Sequence, residues 1–322
     1  TKGITKLSLA AVVATNPIAV GDNDPRLSTQ LLFNIYNYGA RTTNTAAQNS
    51  TAIAAAVTAA ALAGAGIYVP VGTFVTNSVT ISVPIQFADG ASILSAPSGQ
   101  TITYTKSVTA NLSQHFAGLG THVFSTKNLT ILYPQYWGIA NDGTTVDTVP
   151  FTAFVAAVNS SHAVGYLTPN SRILIGSTIS PVLARGFTLQ CDIDARNFNP
   201  NAPQLIWNGT LGTMFDFEIG QQVQTEGIYF KCASTKTIDT FIKFDGDPAA
   251  QIGTQGTIRY CSFDAIEQSN ANAKLISISP TALQNHENYY IGYCDFYCSN
   301  GIRGTAVGTA IYNGGNNGQA KH

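Results

Sequence analysis

Charge is what this chain has least of. Lysine, arginine, aspartate and glutamate make up 10% of its 322 residues, and 16 bases against 17 acids leave a formal net charge of −1. A protein that neutralises a run of phosphates needs a basic stripe, and none is present, so nucleic acid is not an expected partner. Long apolar runs are missing too. The stretch Leu7–Ala14 behind Lys2 and Lys6 is too short to cross a bilayer, which leaves two readings: a brief signal-peptide core or an apolar arm that docks on a partner. Membrane insertion is not expected. The five cysteines, Cys191, Cys232, Cys261, Cys294 and Cys298, cannot all close into internal disulfides and read as buried free thiols. The five histidines form no pair at metal-ligand spacing and sit beside no convincing nucleophile, so no metal is expected. No glycine loop stands between a strand and a helix to cradle a phosphate, and no cofactor is expected.

Polarity comes instead from Thr, Asn, Ser and Gln, whose short neutral side chains suit turns, stacked strands and hydroxyl-rich ligands. That composition favours an extracellular β-protein. Two stretches match at a constant offset of 99 residues, so that Gly39, Gly66 and Pro70 return as Gly138, Gly165 and Pro169. Each copy reads as an aromatic-glycine turn, an amphipathic helix, a glycine stop and an apolar strand ending in proline. In the first helix Asn49 or Ser50 is the expected N-cap, and Ile53, Val57 and Ala61 share a face. In the second Thr148 is the expected cap, with Phe151, Phe154, Val155 and Val158 on one face. Helices this short are marginal alone, so each must lay its apolar face on the open end of the strands that follow it.

Beyond residue 170 the period is two, with tight turns and no helix pattern. Four segments ending at or near cysteine, 186–191, 227–232, 258–263 and 291–296, set Cys191, Cys232, Cys261 and Cys294 at steps of 41, 29 and 33 residues. A second column runs through Phe215–Glu218, Ile242–Asp245 and Leu275–Ser279, at steps of 27 and 34. Two columns with similar, slightly irregular steps imply coils of a solenoid whose turns vary in length. The expected fold is all-β: a right-handed parallel β-helix with N-terminal capping helices, preceded by a small strand-rich neck. Phe187, Leu189, Ile228 and Phe230 would stack inward, about 4.8 Å apart per rung. The column slips in parity at Tyr260–Cys261, where a corner or bulge is expected. The expected domains are an arm over 1–30, a first helix-capped unit over 31–132, and the capped β-helix over 133–322. No capping element follows the last coil, so the chain reads as a piece truncated at its C-terminus.

Trp137-Gly138-Ile139, Asn141-Asp142-Gly143, Asp147-Thr148 and Pro169 resemble the helix-capped opening of the pectate-lyase-like superfamily of right-handed β-helices, in particular bacteriophage tailspikes. Ile139 and the lack of a glycine after Pro169 depart from that pattern. The first copy keeps Tyr38-Gly39-Ala40 and Pro70-Val71-Gly72 but has Thr43 and Gln48 where the acids would be. The segment from Gln114 to Gly138 looks like the linker between such units in phage tail proteins, and Ile18–Leu27 is similar to openings of phage tail fibres and spikes. The resemblance implies a homotrimeric virion protein. Its N-terminus would attach to phage tail or baseplate proteins, and its β-helix would bind and degrade bacterial capsule or O-antigen polysaccharide by hydrolysis or lysis. A non-catalytic receptor-binding tail protein and a secreted bacterial pectate-lyase-like enzyme are the alternatives.

Glycoside hydrolysis needs two carboxylates, about 5–5.5 Å apart for retention and about 6.5–9.5 Å for inversion. Glu218 and Asp245 fall in one column on adjacent coils, with Asp247 as a third member, and are the leading catalytic candidates. Asp192 and Asp194 are a second pair. Asp142 and Asp147 read instead as acids that hold the turn and the helix cap. Arg259 or Lys243 could orient a uronate carboxylate. Trp207 and Tyr229, followed by Tyr289 and Tyr290, are the candidate platforms for sugar rings.

Overall fold

In the computed structural model, residues 32–125, 131–181, 186–217, 222–244, 254–265, 270, 272–278, 286–298, 309–313 and 320–321 are described. Strands dominate, and the strand pairings among these residues are parallel. Among the described residues two α-helices interrupt them, α1 (Ala46–Leu62) and α2 (Thr148–Ser161). None of the described helices is long and apolar enough to cross a membrane. Two compact units divide in the segment 111–122, earlier than the boundary expected at 132.

The first unit shows why its half of the repeat folds as it does. Strand Leu32–Asn34 runs into a 3-10 turn, Ile35–Tyr38, closed by Gly39 at φ +97°, a left-handed value that glycine adopts without strain. Helix α1 then starts at Thr45, not at Asn49 or Ser50. Thr45 and Gln48 form a reciprocal capping box, which satisfies two orphan amides of the first turn. Asn49 lies inside the helix and is fully buried, donating to Val75 O and accepting from Arg41 N at 2.9 Å. It ties the helix to the strand beneath. Strands Leu32–Asn34, Gly66–Val69, Ile85–Phe87 and Val108–Thr109 make one sheet, while Gly72–Val75 pairs with Ser92–Ser95 and Val79–Ile81 with Thr101–Tyr104.

The second unit repeats this opening 99 residues on. Its 3-10 turn Pro134–Trp137 ends at Gly138, φ +79°, and α2 follows. The N-cap is Asp147 rather than Thr148. The Asp147 carboxylate does not cap the helix: it accepts from Ala140 N at 2.7 Å and Asn141 N at 3.3 Å, while Thr148 Oγ1 accepts from Gly176 N. Asp142 builds the turn before it, accepting from Thr144 N, Thr145 N and the Thr145 hydroxyl. Both acids therefore hold the turn, as their positions imply. The helix stops at His162 in the left-handed region, and Gly165 lies within the next strand, Val164–Tyr166. A Cβ there would come within 2.9 Å of Phe154 and 3.0 Å of Leu189 and Val158, so a bare glycine is what lets α2 seat. Phe154 meets Trp137 at 5.6 Å and Phe151 meets Phe215 at 6.4 Å, both edge to face.

After α2 the chain visits three parallel sheets in rotation. The first collects Ile131–Leu132, Val164–Tyr166, Thr188–Gln190, Val223–Glu226, Thr254–Arg259, His286–Gly292 and Ala320–Lys321. A second collects Arg172–Ile175, Gln204–Trp207, Tyr229–Cys232, Ser262–Ala265 and Asp295–Cys298, and the third Thr213–Phe217, Thr240–Phe244, Lys274–Ile278 and Thr309–Asn313. In the second sheet Phe230, Phe263 and Phe296 lie in register with ring planes 3° and 8° apart, at 4.8 and 5.3 Å. In the third, Phe215, Asp216 and Phe217 pair with Ile242, Lys243 and Phe244, and these with Ile276, Ser277 and Ile278, the register expected from the sequence.

The cysteine column needs correction. Cys232 belongs to the second sheet, whereas Cys261 and Cys294 occupy the corner between the first and second, the position of Ile228 one coil earlier. Cys191 follows the strand of the first sheet. The step of 41 therefore joins a residue just past a first-sheet strand to one within a second-sheet strand, and the parity slip at Tyr260–Cys261 is the corner itself. Cys191, Cys232, Cys261 and Cys294 are free thiols, the first three buried and Cys294 partly exposed.

Candidate functional site

Between the first and second sheets, later coils turn the corner in two residues, from Glu226 to Tyr229, Arg259 to Ser262 and Gly292 to Asp295. The coil before them spends 13 residues, 191–203, on the same corner. This longer loop lies on the outer face of the second sheet. Phe198 packs on Tyr229 at 5.7 Å and on Tyr297 at 3.9 Å, the Ser262 hydroxyl donates to Ala195 O, and Asn197 N donates to Asp295 Oδ2 at 2.6 Å. Ala195 and Ala202 of the loop and Tyr229 of the sheet form a buried cluster where the two meet. Asn197 and Phe198 both take positive φ, 56° and 53°, a conformation that costs a β-carbon-bearing residue about 1–2 kcal/mol each. Those contacts hold the loop in it.

A cleft of about 410 Å³ opens where the loop leaves the first sheet, lined by Gln190, Cys191, Asp192, Ile193, Asp194, Glu226, Arg259 and Tyr260. Three carboxylates and one guanidinium meet in it. Asp194 is clamped by Arg196, whose Nε lies 3.0 and 2.9 Å from its two oxygens and whose Nη2 lies 2.6 Å from Oδ2. That guanidinium holds the Asp194 carboxyl below the usual carboxylate range, so Asp194 stays ionised. The Arg196 guanidinium also lies 5.6 Å from the Tyr260 ring and 5.8 Å from the Tyr293 ring, and those rings stack on each other at 5.2 Å. Glu226 pairs with Arg259 Nη2 at 2.8 Å and accepts from Gln224 Nε2 at 3.2 Å. Asp192 is exposed and accepts from the Tyr166 hydroxyl at 3.1 Å. Burial, followed by the bond to Asp192, pushes the Tyr166 phenol up to about 12.

Of the residues expected from sequence, Asp192, Asp194 and Arg259 meet in this cleft. Glu226 and Tyr260 were missed: Glu226 sits in a strand with no acid in the same column of the sequence pattern, and only the corner brings it beside Asp192. Glu218, Asp245 and Asp247 lie outside the described residues. Next to the first two, Asp216 bonds Lys243 at 3.1 Å across neighbouring strands, which makes Lys243 an ion-pair partner on the third sheet. The two leading sugar platforms are corrected. Trp207 is 1% exposed, its indole N–H donates to Thr237 O at 2.7 Å, and a Cβ at Gly209 would touch its ring, so the indole is core and offers no open face. Tyr229 is buried under the loop, where its hydroxyl donates to Asp264 at 2.6 Å. Tyr289 is buried as well, whereas Tyr290 is exposed.

Compared with known proteins, the chain matches no family model, no curated protein and no solved structure.

Proposed function

We propose that the chain is a helix-capped, right-handed parallel β-helix from a bacteriophage tailspike, and that it binds and cleaves bacterial capsule or O-antigen polysaccharide. The coil reading is supported by the rotation of the strands through three parallel sheets, closed at one end by α2. In this reading the protein is a homotrimer on the virion, attached through its N-terminus to phage tail or baseplate proteins. The observation that carries the sugar-binding reading is the cleft, where an inserted loop sets Asp192 and Asp194 beside Glu226 and Arg259 on the outside of the stacked strands.

The chemistry rests on how each carboxylate of the cleft is partnered. Asp194, gripped by Arg196, is held ionised and is no proton donor. Glu226, held by Arg259 at 2.8 Å, and Asp192, which accepts from the Tyr166 hydroxyl at 3.1 Å, are the two carboxylates that would flank the scissile bond. One observation favours a second reading, a receptor-binding tail protein without cleavage: both Asp194 and Glu226 already have their charge engaged by arginine.

The test is release of reducing ends from a panel of purified capsules and O-antigens by wild type, by an Asp192→Asn, Glu226→Gln double variant and by a Glu218→Gln, Asp245→Asn double variant. Loss of about 10²-fold or more in the first variant alone supports the cleft. Loss in the second alone moves the chemistry to Glu218 and Asp245. Adherence without release by wild type selects the non-catalytic reading.

A further inference from the structure

Two thiols stack at one corner of consecutive coils. Cys261 and Cys294 each stand two residues past a first-sheet strand and directly before a second-sheet strand. The strands on either side are in parallel register, Arg259 with Gly292 and Ser262 with Asp295, and Asp295 N donates to Cys261 O at 3.0 Å. The two cysteines are therefore neighbours across one strand spacing, about 4.8 Å. A disulfide requires α-carbons about 4.4–6.8 Å apart, so the corner meets that condition.

The sulfurs sit alike as well. Cys261 Sγ lies 3.2 Å from Arg259 O and 3.8 Å from Thr225 O, and Cys294 Sγ lies 3.3 Å from Gly292 O and 3.7 Å from Ile258 O. Gly292 and Ile258 are the register partners of Arg259 and Thr225 one coil on, so both side chains point the same way. Cys191 and Cys232 stand elsewhere, the first just past a first-sheet strand and the second within a second-sheet strand. Access to the pair is unequal. Cys261 is fully buried, whereas Cys294 is partly exposed, so a reagent in solvent meets Cys294 first. A hydrogen bond from the Cys261 thiol holds Cys294 below the usual thiol range, which raises its thiolate fraction.

We propose that Cys261 and Cys294 form a dithiol modification site, at which a small-molecule disulfide converts the pair into a reversible covalent bond between consecutive coils. The Cys294 thiolate attacks one sulfur of the reagent and expels the other half, which takes up a proton in place of the one Cys294 lost. Cys261, deprotonated in turn, attacks Cys294 Sγ; the Cys261–Cys294 bond forms and the second half of the reagent leaves as a thiol. Two electrons and two protons pass from the protein to the reagent. Side chains that point the same way set their β-carbons about one strand spacing, 4.8 Å, apart, wider than the roughly 3.8 Å of a relaxed disulfide, so the bond is strained and readily reduced. This site is independent of what the cleft binds.

The experiment treats the full chain in native buffer with dithiodipyridine, follows thiopyridone release by absorbance, and maps disulfides by mass spectrometry after free thiols are blocked at acidic pH. The expected result is a mass lower by two hydrogens, a bond between residues 261 and 294, an unchanged circular dichroism spectrum, and recovery of both thiols on adding dithiothreitol to the folded protein. In Cys261→Ala the reagent half should stay on Cys294 as a stable mixed disulfide. A wild type that keeps that same adduct with Cys261 free overturns the proposal. So does one that leaves both thiols unreacted, that links a different pair of cysteines, or that closes the bond only in denaturant. These outcomes are all read on the wild type, so a variant that fails to fold does not shield the proposal.

Discussion

His122 makes the stability of the second unit depend on pH in a range where few other groups titrate. It is 6% exposed, its ring lies 5.1 Å from Phe116, and its Nε2 is 3.1 Å from Ala117 O. Burial disfavours the charged imidazolium and lowers its pKa to about 4, against an ordinary 6.5. The sign follows from proton counting. Between these two values the unfolded chain binds a proton that the folded chain does not, so stability is full above the unfolded value and is lost as pH falls. With those two pKa values the loss is about 2 kcal/mol from pH 7 to pH 5 and about 3 kcal/mol by pH 4. Urea unfolding of wild type and of His122→Gln at both pH values measures it, since glutamine keeps an N–H donor without titrating. The wild type should lose about 2 kcal/mol more than the variant between pH 7 and pH 5. An equal loss in the two proteins would refute the assignment.

Gly165→Ala adds a methyl within 2.9–3.0 Å of Phe154, Val158 and Leu189. Overpacking of about 1–3 kcal/mol, less about 0.4–1 kcal/mol regained from the unfolded chain, should lower the melting temperature by a few degrees, and a raised one would deny that α2 seats there. Phe263→Ala removes the middle ring of the Phe230–Phe263–Phe296 stack and should cost about 3–5 kcal/mol in denaturant unfolding; a cost under about 1 kcal/mol would mean the stack is not packed. Of Cys191, Cys232, Cys261 and Cys294, the last should be alkylated first in a timed iodoacetamide reaction read by mass spectrometry. The Cys261 thiol beside it lowers its pKa, while burial raises those of Cys191, Cys232 and Cys261, so earlier labelling of Cys232 would contradict this.

Much of the strand architecture was legible because a strand has a short period and a stacked strand repeats its neighbour's pattern. The third-sheet register from Phe217 to Phe244 to Ile278 follows directly from two aligned columns of apolar residues. The cysteine column misled because Cys232 and Cys261 share only a residue type, and a strand position and a corner position look like one column when the coils differ in length. The helix starts were displaced for a local reason. Thr45 with Gln48 is a complete capping box, yet the apolar face begins later and drew the boundary toward Asn49. At the site, Asp192 and Asp194 could be read from their alternation, but Glu226 could not, because its proximity depends on how a 13-residue loop crosses later coils. Trp207 reads as a platform because sequence cannot tell an aromatic ring that is exposed from one that fills a coil.

Sugar chains should bind where the 191–203 loop meets the corner of the first sheet. A crystal structure of the full chain soaked with an oligosaccharide released from a capsule to which it adheres tests this most directly. Density is expected in the cleft between Asp192 and Arg259. An ordered oligosaccharide bound instead along the Asp216–Lys243 face of the third sheet, with the cleft empty, would contradict it.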